Sequence, residues 1–224
     1  MTPRCAIVVA GGQGLRMRSD VPKQFLPLLG KPVLMHTLER FVRCEAIVLA
    51  LPKTQIDYWE ALCAEYRFTL PHRVVEGGAT RFHSVQNALA ALSEYPEGLV
   101  AIHDGVRPLV GEEIIEYAYT VAEQSGAALP YIEVVDSLRR RQSGGSTEAV
   151  VRSEYIAVQT PQTFRLERIR VAYGQPYREA FTDDASVYEA AGLGEIAIVE
   201  GAVENIKITS PKDLALAEYL LRHR

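Results

Sequence analysis

Short apolar runs alternate with amphipathic stretches through most of the chain. Residues 7–10, 46–51, 73–75 and 99–103 are apolar apart from Arg73 and His103 and too short for helices, so each predicts a strand. Between them, Val33, Leu34, Thr37, Leu38 and Phe41 recur at helical spacing behind Pro32, which suits the first turn of a helix. Residues 55–66, 81–93 and 112–124 read as further helices, and 127–135 as extended chain. Helical patterns return at 166–173 and 184–191, with strands at 196–199 and 206–208. A closing helix follows at 211–221, where Ser210 caps and Pro211 takes the first turn. Continuous apolar strands separated by amphipathic helices predict a single α/β domain, Rossmann-like, with a mostly parallel sheet covered on both faces.

One segment interrupts the rhythm. From 136 to 159 the pattern is that of a polar β-hairpin, running out over Ser137 to Arg141, turning at Gly144-Gly145 and returning over Glu148 to Arg152. An isolated hairpin is marginal in water. The segment therefore reads either as a surface arm or as an arm packed on a second subunit.

Composition narrows the class. The 224 residues suit one domain spanning 1–224, with 48% hydrophobic and 23% charged residues. A formal charge of −4 argues against a nucleic-acid-coating protein, while leaving room for a local cationic site. Cys5, Cys44 and Cys63 form no Cys-x-x-Cys pair and read as buried, reduced thiols. No apolar run approaches the roughly 18 residues of a membrane span, and 7–10 is too short for a signal-peptide core. The expectation is a soluble, cytoplasmic protein.

The densest chemistry lies just after the first strand. Ala10-Gly11-Gly12-Gln13-Gly14 is a glycine-rich turn, and Arg16, Arg18 and Lys23 follow with only Asp20 opposing them. Glycines at 11, 12 and 14 let backbone N–H groups converge on an anion, and Arg16 and Lys23 add charge. Met17 stands where a dinucleotide fingerprint needs glycine, and no Gly-Lys-Ser/Thr triplet follows Gly14, which removes the two common phosphate loops. Gly77-Gly78-Ala79-Thr80-Arg81-Phe82-His83-Ser84 is a second glycine turn opening a helix. His103-Asp104-Gly105-Val106-Arg107-Pro108 ends an apolar strand, where open α/β sheets place ligands. Taken alone, the last two read equally well as an ordinary turn and a surface ion pair.

Ala-Gly-Gly-x-Gly-x-Arg-Met followed by Pro-Lys-Gln-Phe resembles the signature of nucleotidyltransferases that activate phosphorylated sugars or polyols. Asp136-Ser137-Leu138-Arg139, Thr160-Pro161-Gln162-Thr163-Phe164, Thr182-Asp183-Asp184-Ala185-Ser186 and Asn205-Ile206-Lys207 carry the resemblance almost to the end of the chain. Together they make the chain similar to the 2-C-methyl-D-erythritol 4-phosphate cytidylyltransferase family. The resemblance implies CTP as nucleotide and a polyol phosphate as acceptor. Mg²⁺ would be held mainly by CTP phosphates with Asp104 nearby, and no dedicated protein metal site is implied. It implies a homodimer through the 136–159 arm and no nucleic-acid or membrane partner. Arg16 and Lys23 would stabilise the transition state, while Lys207, and Arg152 reaching across the dimer, would position the attacking phosphate. Ala10, Gly11, Gly12, Gly14, Gly78, Ala79 and Ser84 would hold the nucleotide; Asp104, Arg107, Ser137, Thr160 and Thr182 would lie along the substrate. Gly105-Val106 and Ser137 depart from the family's usual Ala-Ala and Thr. A ribitol 5-phosphate cytidylyltransferase shares most of these blocks, and a catalytically silent nucleotide-binding protein is the alternative of another class.

Overall fold

The computed structural model describes residues 2–12 and 21–223. Four parallel strands form its centre: β1 (Arg4–Val9), β4 (Ala46–Leu51), β5 (Arg73–Glu76) and β6 (Leu99–Asp104). A two-strand turn, β2 (Pro27–Leu28) and β3 (Lys31–Pro32), lies between the first two. Helices α1 (Val33–Glu39), α2 (Ile56–Glu65) and α3 (Arg81–Ala90) make the crossovers, and α4 (Glu112–Ser125) leads to β7 (Ala127–Glu133). The hairpin is β8 (Arg139–Arg141) and β9 (Thr147–Ala149). β10 (Ile156–Val158), β11 (Gln162–Arg165), α5 (Leu166–Tyr173), α6 (Asp184–Ala190), β12 (Ala197–Glu200) and α7 (Pro211–Arg222) follow.

The sheet runs β5-β4-β1-β6-β11-β7, with β12 on the far edge of β7. β11 is antiparallel to both of its neighbours, and β10 precedes it along β7, with the cis Thr160–Pro161 bond between the two. Alternate strand residues feed the two faces, as period-two geometry requires. Ala6, Val8, Leu49 and Ala101 join α1, α2 and α4 on one side; Cys5, Ile7, Val48 and Ile102 join α3, α5 and α6 on the other. A smaller cluster of Leu28, Val33, Val106, Leu109 and Ile208 seats α7.

Several boundaries differ from expectation for identifiable reasons. The end of the predicted arm does not leave the body: Ile156, Ala157 and Val158 pair with Glu133, Ile132 and Tyr131 in the main sheet. The two hairpin strands are shorter than predicted, and Arg152 stands in a 3₁₀ turn. Residues 206–208 form no strand; Ile208 N donates to Val106 O at 2.9 Å and Ile206 N to Glu204 O at 2.8 Å. Cys5 is fully buried, but Cys44 and Cys63 are only half-buried, and all three are free thiols. Burial pushes the Cys5 thiol up to about 12. Ser210 caps α7 as the sequence implies, in a capping box with Asp213.

Phe164 is fully buried, lies tilted against Tyr188 with ring centres 5.3 Å apart and sits where β11 locks β6 to β7. Phe164→Ala should lower unfolding free energy by about 3–5 kcal/mol, against less than about 1 kcal/mol for Val171→Ala on the exposed face of α5. Equilibrium denaturation of both variants checks this.

Candidate active site

The carboxyl ends of β1, β4, β5 and β6 converge on a cavity of about 330 Å³. The chain reverses direction across the sheet between β1 and β6, the position at which open α/β sheets bind ligands. Ala10, Gly11 and Gly12 form one rim, and Gly77, Gly78, Ala79 and Thr80 the opposite one. Lys23, Arg81 and Lys207 line it against a single carboxylate, Asp104, among the described residues.

Each rim is built locally. Gln24 is wholly buried and donates through Nε2 to Ala10 O at 2.9 Å and to Gln55 Oε1 at 2.7 Å, which fixes the end of β1 and places Lys23 beside Gly12. Lys23 is itself buried at 9% exposure. On the other rim, Gly77 N donates to Leu51 O at 2.7 Å, and Thr80 caps α3. Gly78 N donates to Ser84 Oγ at 3.1 Å, and that hydroxyl donates onward to Thr80 O at 3.0 Å. A Cβ on Gly78 would overlap His83 Cβ, so glycine is required by packing there.

Asp104 is the electrostatic centre. Lys207 Nζ lies 2.8 Å from Oδ2, Arg107 Nε 3.5 Å from Oδ2 and Arg81 Nε 3.7 Å from Oδ1. Burial by itself would raise this carboxyl, yet Arg81, Lys207 and Arg107 hold it far below the usual carboxylate range. The strand end beneath it is fixed by His103, which is fully buried and pushed down to about 4 by desolvation. Arg107 O, 3.0 Å from Nε2, can only accept, so Nε2 carries the proton and Nδ1 accepts from the Thr160 hydroxyl at 3.0 Å. Thr160 Oγ1 in turn accepts from Asp104 N at 3.1 Å.

Beyond Asp104, Arg107 donates to Asn205 O at 2.7 Å, and Asn205 donates to Thr160 O at 2.9 Å and Gln159 Oε1 at 3.2 Å. Gln159 also donates to Ala202 O at 2.8 Å. These bonds, in place of a sheet ladder, carry the loop that presents Lys207.

The structure thus gathers Ala10, Gly11, Gly12, Lys23, Gly78, Ala79, Ser84, Asp104 and Lys207 around one cavity. It does not place Thr160 on the wall, because that side chain is spent on His103 and Asp104. Arg107 lies behind the wall, with its guanidinium on Asn205 and Asp104. Thr182 is exposed just before α6, outside the lining. Ser137 and Arg152 lie on the arm, where Arg152 donates to Val135 O at 2.6 Å and both line a separate surface depression. Gly14 and Arg16 fall outside the described residues. Gly105 fits where a Cβ would come 2.8 Å from Ala10 Cβ and 3.0 Å from Leu34 Cδ1, and Val106 enters the cavity wall.

Arg81 and Asp184 were not singled out by sequence reasoning. They pair bidentately at 2.8 and 2.6 Å, and no local spacing signals a partnership across about a hundred residues. Among the described residues no three His, Cys, Asp or Glu side chains gather to hold a metal ion. The single cavity carboxylate fits Mg²⁺, which commonly takes one carboxylate together with substrate phosphates and water.

An α/β sheet with glycines after its first strand and a cation-lined cavity at the strand ends suits a nucleotidyltransferase, and the comparisons with known proteins show that class. The family model for 2-C-methyl-D-erythritol 4-phosphate cytidylyltransferase matches residues 4–223. Proteins of that name from Bacteroides thetaiotaomicron and Porphyromonas gingivalis are each 54% identical, over 96% of this chain and 98% of the first protein, and 97% of each in the second comparison. The crystal structure of 4-diphosphocytidyl-2C-methyl-D-erythritol synthase from Anaerococcus prevotii is similar with a TM-score of 0.83 at 27% identity, covering 99% of this chain and 96% of that one. The 2-C-methyl-D-erythritol 4-phosphate cytidylyltransferase from Thermus thermophilus gives 0.77 at 34% identity, covering 97% of this chain and 98% of that one. The chain belongs to the 2-C-methyl-D-erythritol 4-phosphate cytidylyltransferase family and is an enzyme of the cytidylyltransferase class.

Thr160→Val leaves His103 Nδ1 and Asp104 N without partners inside the protein. It should cost about 2–4 kcal/mol of stability, and Thr160→Ser, which keeps the hydroxyl, should recover most of it. Chemical denaturation of the two variants measures the difference.

Proposed function

We propose that the enzyme transfers CMP from CTP to 2-C-methyl-D-erythritol 4-phosphate in isoprenoid precursor synthesis, giving 4-CDP-2-C-methyl-D-erythritol and pyrophosphate. The observation that carries this reading is the cavity itself: three cations and one ionised carboxylate between two rims of small residues. Two polyanions have to meet there, and cations supply what water cannot supply in a closed site. An oxygen of the acceptor phosphate monoester forms a bond to the α-phosphorus of CTP. The bond from that phosphorus to the bridging oxygen breaks, and pyrophosphate carries away the electron pair. The attacking monoester is already ionised, so no side-chain base is required.

Gly78 and Ala79 bring backbone close to the cytosine. The Ser84 hydroxyl, its proton committed to Thr80, keeps a lone pair for the amino group of the base. Lys23, together with Arg16, stabilises charge on the triphosphate, and Lys207 turns from Asp104 to the incoming phosphate. Asp104 would hold Mg²⁺ together with triphosphate oxygens, and the ion, when bound, neutralises charge on the leaving group. Arg152 of the partner subunit completes the acceptor site in a homodimer built on the exposed arm. A cytoplasmic location belongs to this reading, supported by the three free thiols.

Pyrophosphate release with CTP and Mg²⁺ tests the reading, comparing methylerythritol 4-phosphate with ribitol 5-phosphate. Turnover with the first alone is expected; turnover with ribitol phosphate alone would keep the chemistry and replace the acceptor. CTP binding with no turnover on either would leave a binding protein. Lys23→Ala and Arg152→Ala should each lose at least about a hundredfold in kcat/KM while staying folded. Mixing the two inactive variants and allowing exchange should restore about a quarter of wild-type activity, since half of the random dimers carry one intact composite site. No recovery on mixing would remove Arg152 from the neighbouring site.

A further inference from the structure

Arg81 is both a wall of the cavity and a tie to another part of the fold. It opens α3 directly after the 77–80 rim, and its Nε faces Asp104 Oδ1 at 3.7 Å. Its two terminal nitrogens are taken by Asp184, which is fully buried at the start of α6. Tyr173 of α5 donates to the same carboxylate at 2.6 Å. A second, separate tie reaches the same turn. Gln162, 1% exposed on β11, donates to Asp183 Oδ2 at 2.8 Å and accepts from Ala185 N at 2.8 Å.

The consequence is geometric. A planar guanidinium held bidentately on a buried carboxylate has little freedom, unlike a lysine in the same place. We infer that the Arg81–Asp184 pair is a positioning clamp that fixes the spacing between the nucleotide rim preceding α3 and the start of α6, next to the Thr182 that the transferase reading sets along the acceptor. It thereby sets the alignment of attacking phosphate with α-phosphorus. This rests on the transferase reading above. Reactions between two bound substrates depend steeply on alignment, and a misplacement of about 1 Å costs on the order of a hundredfold. On that reading CTP meets the 77–80 rim and the acceptor lies toward Thr182, so loosening the clamp impairs their mutual approach more than the binding of either one.

A buried pair that served stability alone would behave differently, and three substitutions separate the cases. Asp184→Asn keeps size and removes charge; Arg81→Lys keeps charge and removes the fork; Tyr173→Phe removes one hydroxyl. CTP dissociation constants and kcat with methylerythritol 4-phosphate are measured on each purified variant, with kcat expressed per folded molecule. The clamp requires kcat to fall about ten- to a hundredfold in Asp184→Asn and Arg81→Lys, with CTP affinity held within about threefold. Tyr173→Phe should show the same pattern at smaller amplitude, and it carries the test together with Arg81→Lys if Asp184→Asn does not fold. Unchanged kcat per folded molecule with a lowered melting temperature would reduce the pair to a structural role. CTP affinity falling in step with kcat would make Arg81 a nucleotide contact and overturn the clamp. In both of those outcomes the wild type turns over. A wild type that binds CTP and transfers nothing would instead overturn the transferase reading, and the clamp with it.

Discussion

Asp104 stands at the end of the central strand β6 with almost no access to water, and everything around the cavity is arranged to keep its charge there. A buried carboxylate is costly unless cations and hydrogen bonds replace its hydration. Here the replacement comes from three directions: Arg81 from α3, Arg107 from the loop that follows the strand, and Lys207 from the segment before α7. The acid therefore acts as a joint. It draws three parts of the chain distant in sequence to one point, and each of them lends a residue to the cavity lining: Arg81, Val106 and Lys207.

The layer beneath the joint is neutral and hydrogen-bonded. His103 cannot take a second proton at ordinary pH, because burial disfavours its charge, so it serves as a fixed donor at one nitrogen and acceptor at the other. Through Thr160 it ties β6 to the approach to β11, and through Arg107 O it closes the Asp104 loop upon itself. Placing β11 antiparallel between β6 and β7 is what brings Gln159, Thr160 and Gln162 under the cavity. The antiparallel interruption in an otherwise parallel sheet is thus the structural support for both the Lys207 loop and the start of α6.

Much of this was legible beforehand. The central strands and their crossover helices appear in the hydrophobic pattern within about three residues, because fully buried parallel strands leave continuous apolar runs. The rims were legible too: glycine turns at strand ends announce close backbone approach through local chemistry alone. Residues 206–208 have the Ile-x-Ile alternation of a strand, yet their backbone bonds run to single carbonyls, Glu204 O and Val106 O, and to no strand ladder, which local alternation does not reveal. Thr160 was read as a substrate residue because it belongs to a recognisable block; its hydroxyl turned out to face inward.

What the sequence determined by itself follows from short-range physics: period-two and period-3.6 burial, capping at Ser210, glycine at the rims and a cluster of cations around the first turn. Family membership could be read at the same level, since ordered motifs survive without coordinates. The tertiary structure decided which charges meet. Arg81 finds Asp184 and Asp104, Arg107 turns behind the wall to Asn205, and Lys207 reaches Asp104 from the far end of the chain. Such pairings depend on where strands and helices are stacked in space, and Coulomb attraction between residues a hundred positions apart leaves no local trace in the order of amino acids.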